Sequence, residues 1–209
     1  MTGRDEMAGT ADDGRIRCGW AVSGSPAGDT LYRDYHDAEW GRPVRDSVAL
    51  FEKISLEAFQ SGLSWLTILR KRENFRAAFD GFDAGVVATY TDDDVARLMA
   101  DAGIVRNRAK ILATINNARA VTELDVDLAE LLWSFAPPAR PRPAELADVP
   151  AVTPESTAMA KELKRRGFAF VGPTTAYALM QATGMVDDHI ASCWVPEVAS
   201  GVVEGGAPR

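Results

Sequence analysis

Cysteine and histidine are scarce in this 209-residue chain, which contains two of each. So few cysteines exclude a disulfide-rich secreted scaffold, and we expect both thiols to be reduced, as in cytosolic proteins. No run approaches about 18 uninterrupted apolar residues, the length at which a membrane-spanning helix is considered. Residues 1–17 are polar and partly acidic, whereas a secretory signal needs a basic start and an apolar stretch. These absences predict a cytoplasmic protein without a membrane span.

The chain has no excess of basic residues, and its formal net charge is −7. This balance argues against broad, nonspecific coating of nucleic acid. A local basic patch remains compatible with it, since salt confines charge effects to about 8 Å at physiological ionic strength. With 46% hydrophobic residues the chain has enough apolar side chains for a substantial core. The length predicts one domain, either compact or lobed, and we expect a monomer.

Helical periodicity dominates the chain from Asp46 onward, and no convincing alternating strand pattern is present. Residues 1–16 lack periodicity and are rich in small and acidic residues, which predicts a disordered tail. We therefore expect a folded all-α domain over residues 17–196 and a flexible tail over 197–209. Residues 137–143 (PPARPRP) predict a surface loop that joins two parts of the domain. The last predicted helices cover 156–166, 173–183 and 186–195.

A glycine-containing turn at residues 170–175 separates two of these helices. The amides of Gly172, Thr174 and Thr175 would lie at a helix N-terminus, where backbone N–H groups bind phosphate. Lys164 and Arg165 end the preceding helix beside this turn. The pattern predicts a DNA-backbone contact, with an ordinary loop next to a solvated basic face as the equally weighted alternative.

The two cysteines and two histidines together make one complete set of tetrahedral metal ligands, with none left over. His189 and Cys193 are four residues apart, so in the predicted helix over 186–195 they share one face. Cys18 and His36 would complete the set from the other end of the chain. Taken singly, each of the four is more often an inert core residue. As a set they predict one structural Zn²⁺ per chain, which ties the two ends of the fold together.

Aromatic side chains concentrate in residues 31–40, where Tyr32, Tyr35 and Trp40 surround His36. Such rings can sandwich a nucleobase, and each base–aromatic stack contributes about 1–3 kcal/mol. They can equally fill an ordinary core. Glu57 lies in a mostly apolar helical run, where carboxylates are rare unless paired or functional. A position at the boundary of the helix face is the alternative for this glutamate.

Short blocks spread over residues 17–196 closely resemble the DNA-3-methyladenine glycosylase I family, of the helix-hairpin-helix glycosylase superfamily. The blocks occur in the same order as in that family. They are Cys18-Gly19-Trp20, 35–41 (YHDAEWG), Leu56-Glu57, 60–65 (QSGLSW), 71–75 (KRENF), 101–104 (DAGI), 133–135 (WSF), 166–168 (RGF), 170–172 (FVG), 180–182 (MQA) and Asp188-His189.

The resemblance implies a two-lobed all-α glycosylase domain with the substrate pocket between the lobes and a hairpin over about 156–184. Its implied partner is double-stranded DNA carrying alkylated bases, from which the family excises 3-methyladenine. By position, Cys18, His36, His189 and Cys193 match the family's zinc ligands. Glu57 would accept hydrogen bonds from the adenine edge as the main candidate catalytic residue. Tyr35 and Trp65 would line the pocket, with Tyr32 and Trp40 as second contacts.

Three further expectations follow from the comparison with the superfamily. Members that also cut the strand carry a lysine after the turn glycines, where this chain has Thr174, so we expect base removal without lyase activity. Asp187 stands where the family usually has asparagine. It is a second candidate catalytic residue, and a neutral surface change or a helix cap are its alternatives. Leu63 could wedge into the duplex from a turn, although a leucine is more often a core residue.

Overall fold

The computed structural model describes residues 8–23 and 29–197, and it is mostly helical. Ten α-helices and one two-stranded sheet occur among these residues. None of the described helices combines the length and apolarity needed to cross a membrane. The elements are β1 (Gly9–Thr10), β2 (Ile16–Arg17), α1 (Trp20–Ser23), α2 (Leu31–Ala38), α3 (Ser47–Gln60), α4 (Trp65–Ala78), α5 (Ala84–Val87), α6 (Asp92–Ala100), α7 (Arg108–Thr122), α8 (Leu128–Trp133), α9 (Pro154–Arg165) and α10 (Pro173–Ala182).

Side-chain caps begin several of these helices. The Asp46 carboxylate accepts a hydrogen bond from the Ala49 amide at the start of α3. Asp94 accepts from the Thr91 amide at the start of α6, as in a capping box. Pro173 occupies the first turn of α10, where its missing N–H removes no helical bond.

Helix α3 lies at the centre of the packing and is buried along most of its length. Phe51, Ile54 and Phe59 are fully buried on it, and α4, α7, α8 and α10 pack around it. The main apolar core runs without a break from α3 to α10. A second, small cluster contains Cys18, Ile190, Cys193 and Val195. The fold therefore presents α3 and α10 to each other, with the two ends of the described chain meeting beside them.

Order begins earlier in the chain than the sequence predicted. Strands β1 and β2 pair antiparallel, which corrects the expected disorder at residues 9–16. The buried guanidinium of Arg17 explains this, because it binds the carboxylates of Asp13 and Asp37 at 2.8 and 2.7 Å. The Trp194 amide also donates to the Ile16 carbonyl at 2.9 Å. The rest of the predicted tails, residues 1–7 and 198–209, lies outside the described residues.

The predicted helix over 186–195 is wrong. Helix α10 ends at Ala182, and the chain then turns at Gly184, whose φ is +70°. Beyond it the amides of Ala191 and Trp194 donate to the carbonyls of Pro143 and Ile16 rather than to the carbonyl four residues back. Long-range backbone bonds thus replace the helical ones, and His189 and Cys193 lie on an irregular segment.

Gly184 is the position at which this segment packs most closely on the chain that follows α2. A Cβ atom there would lie 2.6 Å from the Arg42 carbonyl carbon and 2.7 Å from the Pro43 nitrogen. Gly167 also has a positive φ, +91°, but a Cβ there would meet nothing within 4 Å. The two glycines share a backbone requirement and differ in their surroundings.

We expect Gly184→Ala to lower the free energy of unfolding by about 2–4 kcal/mol, because backbone strain and overpacking add. Gly167→Ala serves as the matched control and should cost about 1–2 kcal/mol from strain alone. Urea denaturation followed by circular dichroism measures both. Equal losses for the two variants would contradict the close approach at Gly184.

Candidate active site

A cavity of about 380 Å³ opens between the N-terminal helices and α10. One wall comes from α1 to the start of α4, and the other from α10 and residues 146–149. Its size suits a small planar ligand. The lining residues are Trp20, Tyr32, Tyr35, Trp40, Glu57, Gln60, Trp65, Leu146, Val149, Ala178, Gln181 and Asp188.

Aromatic rings form most of the first wall. Tyr35 and Trp65 are 5.5 Å apart between ring centroids and are tilted by 46°. Trp20 packs against Tyr32 at 4.8 Å and against Trp40 at 5.1 Å. The four aromatic residues predicted from sequence therefore all line one cavity. Rings in such an arrangement can stack on the faces of a flat heteroaromatic ligand.

Glu57 supplies a nearly buried carboxylate to this aromatic cavity, with 6% of the residue exposed. Burial raises the pKa of Glu57 to about 8, although the positive charge of Lys53, one helical turn earlier, opposes the rise. No residue within 8–23 and 29–197 donates a hydrogen bond to this carboxylate. Because Glu57 lines the cavity, this largely desolvated acceptor is available to a ligand that brings its own donors or positive charge.

Asp188, the other acidic residue of the cavity wall, is fully satisfied. Its buried carboxylate accepts hydrogen bonds from Arg140 at 2.6 Å, Tyr177 at 2.6 Å and Gln181 at 2.9 Å. The contact with Arg140 is also an ion pair and ties the loop after α8 to the segment that follows α10. Asp188 therefore orients Gln181 and the cavity floor, in contrast to the unpaired Glu57.

Asp187, the second candidate catalytic residue, is not part of the cavity wall. Its carboxylate forms an ion pair with Arg142 at 2.8 Å and accepts a hydrogen bond from the His189 amide at 3.2 Å. The helix-cap alternative is wrong, because no helix follows Asp187 in the described part of the chain. Its contacts with Arg142 and the His189 amide instead organise the irregular segment that carries His189.

The four predicted metal ligands come together in one buried group. Their ligand atoms all lie within 4.8 Å of one another. The Cys193 sulfur is 3.7 Å from His36 Nε2 and 3.6 Å from His189 Nδ1, and the Cys18 sulfur is 3.8 Å from His189 Nδ1. Four converging soft and nitrogen donors could hold a metal ion.

Each histidine of this group has its other ring nitrogen occupied. His36 Nδ1 lies 2.8 Å from the Asp37 carboxylate, which is in turn bound by Arg17. His189 Nε2 lies 3.2 Å from the Trp40 carbonyl oxygen. Such outer contacts fix the ring orientation and leave one nitrogen to face the group. Because Trp40 also lines the cavity, the Cys/His group adjoins the cavity wall.

The turn between α9 and α10 presents the predicted DNA-contact residues at the surface. Gly172 and Thr174 are exposed and Thr175 is partly exposed. The first helical bond of α10 runs from the Ala176 amide to the Gly172 carbonyl, so the Thr174 and Thr175 amides precede the bonded turns. Ala178 and Gln181 on the same helix reach the cavity.

The basic charge beside this turn is smaller than the sequence suggested. Arg165 is exposed but forms an ion pair with Glu162 at 2.6 Å. Lys164 is exposed on the neighbouring position. Leu63 lies at the other candidate DNA-contacting turn, between α3 and α4, and is 42% exposed. Its exposure argues against the core alternative for this leucine.

Residues 25–196 match the family model described as methyladenine glycosylase. The chain belongs to the methyladenine glycosylase family. The DNA-3-methyladenine glycosylase 1 of Escherichia coli (strain K12) is 47% identical over 182 residues, covering 85% of this chain and 95% of its own. Family membership makes the chain a DNA N-glycosylase and confirms the resemblance found in the sequence.

Solved structures of the family agree with the fold. A crystal structure of 3-methyladenine DNA glycosylase I is 48% identical, with a TM-score of 0.80, and the match covers 85% of this chain and 98% of that one. The Staphylococcus aureus enzyme, solved to explain its recognition of 3-methyladenine, is 35% identical, again with a TM-score of 0.80. That match covers 86% of this chain and 97% of that one.

Sequence reasoning assigned no role to four polar or aromatic residues of this glycosylase's cavity. They are Trp20, Gln60, Gln181 and Asp188. All four lie inside the short blocks that carried the family resemblance. Those blocks were the available signal, but the blocks alone do not show which members point to a common cavity.

The raised pKa of Glu57 makes stability depend on pH. A carboxyl whose folded pKa, about 8, exceeds the unfolded value of 4.5 favours the folded state below pH 4.5, and this contribution is lost as pH rises to 8. We expect Glu57→Gln to gain stability relative to the unmodified chain over this window, by up to about 1.4 kcal/mol for each pH unit. Urea unfolding at pH 5 and pH 9 measures the difference. A pH-independent difference would contradict the desolvated carboxyl.

Proposed function

We propose that the chain hydrolytically excises 3-methyladenine from alkylated double-stranded DNA and leaves an abasic site. The observation that carries this proposal is the unpaired, buried carboxylate of Glu57 in a cavity walled by aromatic rings. Relatives named as 3-methyladenine glycosylases, at 44–47% identity, support the choice of substrate.

The chemistry of the lesion fits this cavity. Methylation at N3 makes the adenine cationic and already a good leaving group, so little acid catalysis is needed. The carboxylate of Glu57 would complement the charge and accept hydrogen bonds from the adenine edge. Stacking on the face of Tyr35 or Trp65 adds a preference for a cationic ring of roughly 0.5–2 kcal/mol. A cationic base favours ionisation of this desolvated carboxyl, whereas neutral adenine offers no charge to offset that cost, and selectivity follows from that difference.

Reaching such a cavity requires the base to leave the duplex, since its target bond is inaccessible in stacked DNA. In our proposal the Thr174 and Thr175 amides bind a backbone phosphate at the start of α10, and Lys164 adds positive charge. Leu63 enters the duplex from its exposed turn while the base is flipped. α9, the turn and α10 would then act as the helix-hairpin-helix of a two-lobed glycosylase.

Strand cleavage is not part of the proposed activity. A Schiff base with the sugar needs an amine, and the position after the turn glycine carries Thr174 instead. Water would therefore complete the reaction. Asp187 takes no catalytic part in this proposal because Arg142 and the His189 amide occupy its carboxylate.

A structural Zn²⁺ at Cys18, His36, His189 and Cys193 completes the proposal. Tetrahedral zinc with ordinary bond lengths places its sulfur and nitrogen ligands about 3.6 Å apart. The three sulfur–nitrogen contacts of this group measure 3.6–3.8 Å. Four protein ligands leave no position for a reactive water, so the metal would stabilise the fold and the adjoining wall rather than take part in hydrolysis.

Purified protein should release free 3-methyladenine from methylated duplex DNA without cutting the strand. Glu57→Gln should lower kcat/KM by roughly 10- to 100-fold, because a charge-assisted hydrogen bond is lost. Chromatography of the released base and a denaturing gel of the DNA measure the two outcomes.

Glu52→Gln is the matched control for this experiment. Glu52 also lies on α3, but its carboxylate is paired with Arg76 at 2.8 Å and lies outside the cavity wall. It should excise at nearly the unmodified rate. Folded protein that binds methylated DNA but releases no base would overturn the proposed activity in favour of a damage-binding module.

Metal analysis should find one zinc per chain. Cys193→Ser should abolish retention of zinc, and removing the metal with a chelator should lower the melting temperature, because binding energy to the folded site is lost. Restoring Zn²⁺ to the chelated protein should restore the melting temperature. A metal-free protein whose melting temperature changes with neither chelator nor zinc would contradict the assignment.

A further inference from the structure

Lys110, in the first turn of α7, is a buried lysine that binds backbone carbonyl oxygens at the end of another helix. Only 7% of the residue is exposed. Its ammonium donates hydrogen bonds to the carbonyl oxygens of Phe59 at 2.8 Å and Ser61 at 2.6 Å. These carbonyls lie at the C-terminal end of α3, where helical partners run out. The contact satisfies a buried charge and two backbone acceptors together.

The backbone held in this way is the turn of residues 61–64, which joins α3 to α4. The turn passes through Gly62, whose φ is +83°, and the Leu63 amide donates to the Gln60 carbonyl at 2.6 Å. Leu63 stands exposed at its tip. Gln60 and Trp65, on either side of the turn, belong to the cavity wall. Gln60 and Trp65 are held in α3 and α4, so a shift confined to residues 61–64 displaces the tip more than the cavity wall.

The same helix holds the other candidate DNA-contacting turn. Asn117, seven residues after Lys110 and about 10 Å along the helix axis, receives a bond from the Ala169 amide at 2.7 Å and donates to the Ala169 carbonyl at 3.0 Å. Asn116 donates to the Gly167 carbonyl at 2.7 Å. Seven residues are two helical turns, so Lys110 and Asn117 share one face of α7. One rigid helix thus sets the spacing between the two turns.

We propose that Lys110 is a positioning residue for base extrusion. It holds the 61–64 turn so that Leu63 enters the duplex when the α9–α10 turn binds the DNA backbone. This inference rests on the proposed function. Lys110 itself touches neither the cavity nor the exposed surface of the turn, and it acts through the two carbonyl oxygens.

Lys71 provides a matched comparison elsewhere in the fold. Its ammonium also donates to two backbone carbonyls, those of Ala102 at 3.0 Å and Gly103 at 3.1 Å, just beyond α6. That loop contributes nothing to the cavity wall. Replacing either lysine with methionine removes the same number of hydrogen bonds, but only Lys110 is joined to the turn that carries Leu63.

The test measures base release from methylated duplex DNA and from its separated methylated strand, under single-turnover conditions. Lys110→Met should slow release from the duplex by about 10- to 100-fold and affect the single strand much less, since no partner strand has to be displaced there. The double variant Lys110→Met, Leu63→Ala should release base from the duplex nearly as fast as Leu63→Ala alone, because both changes disable the same step. Lys71→Met should leave the duplex-to-strand ratio unchanged.

Equal slowing on both substrates, or additive effects with Leu63→Ala, would overturn the positioning role. Unchanged duplex activity in folded Lys110→Met protein would do so as well. Circular dichroism checks folding, and if the methionine variant does not fold, Lys110→Arg keeps the charge and donors while displacing the turn, and should show the same duplex-selective defect. Absence of base release by the unmodified chain would instead contradict the proposed function.

Discussion

The desolvated carboxylate of Glu57 is the interaction on which the rest of this site depends. Keeping a carboxylate largely desolvated and without hydrogen-bond donors is unfavourable, and the raised pKa of Glu57 expresses that cost. The surrounding fold makes it tolerable. Helix α3 is anchored along its length by a continuous core, so the side chain cannot easily turn away to water. Rings on α1, α2 and α4 enclose the space in front of it, and the cavity is thereby suited to a cationic, flat ligand.

The buried polar residues of this fold differ in whether the protein supplies their hydrogen-bond partners. Asp188, Lys110 and Arg17 are buried with all major partners supplied by the protein, and they fix the geometry of neighbouring segments. Glu57 is buried without a hydrogen-bond donor among the residues that the structure describes. This contrast separates residues that organise the site from the residue that is available to a ligand. It also explains why burial alone does not identify a functional group.

Much of the architecture was predictable because it depends on local rules. The periodicity of α9 and α10 follows from neighbouring residues, and their predicted bounds, 156–166 and 173–183, lie within a few positions of those in the structure. The exceptions arise where distant partners compete. Residues 186–195 have a helix-like composition, but the carbonyls of Pro143 and Ile16 take their amides. The N-terminal hairpin likewise depends on Arg17 bridging to Asp37, a contact that no local pattern reveals.

By itself the sequence determined the family, the helical class, the set of two cysteines and two histidines, and Glu57 as a glutamate in an apolar run. These features depend on residue identity and short spacing. Only the tertiary structure decided that Trp20, Gln181 and Asp188 join the same cavity and that Asp187 lies outside it. It also decided that no residue in the described part of the chain donates a hydrogen bond to Glu57. It alone brought Cys18 and Cys193 to one group and Lys110 to the end of α3. The physical reason is that hydrogen-bond satisfaction and desolvation depend on distances between segments far apart in the chain.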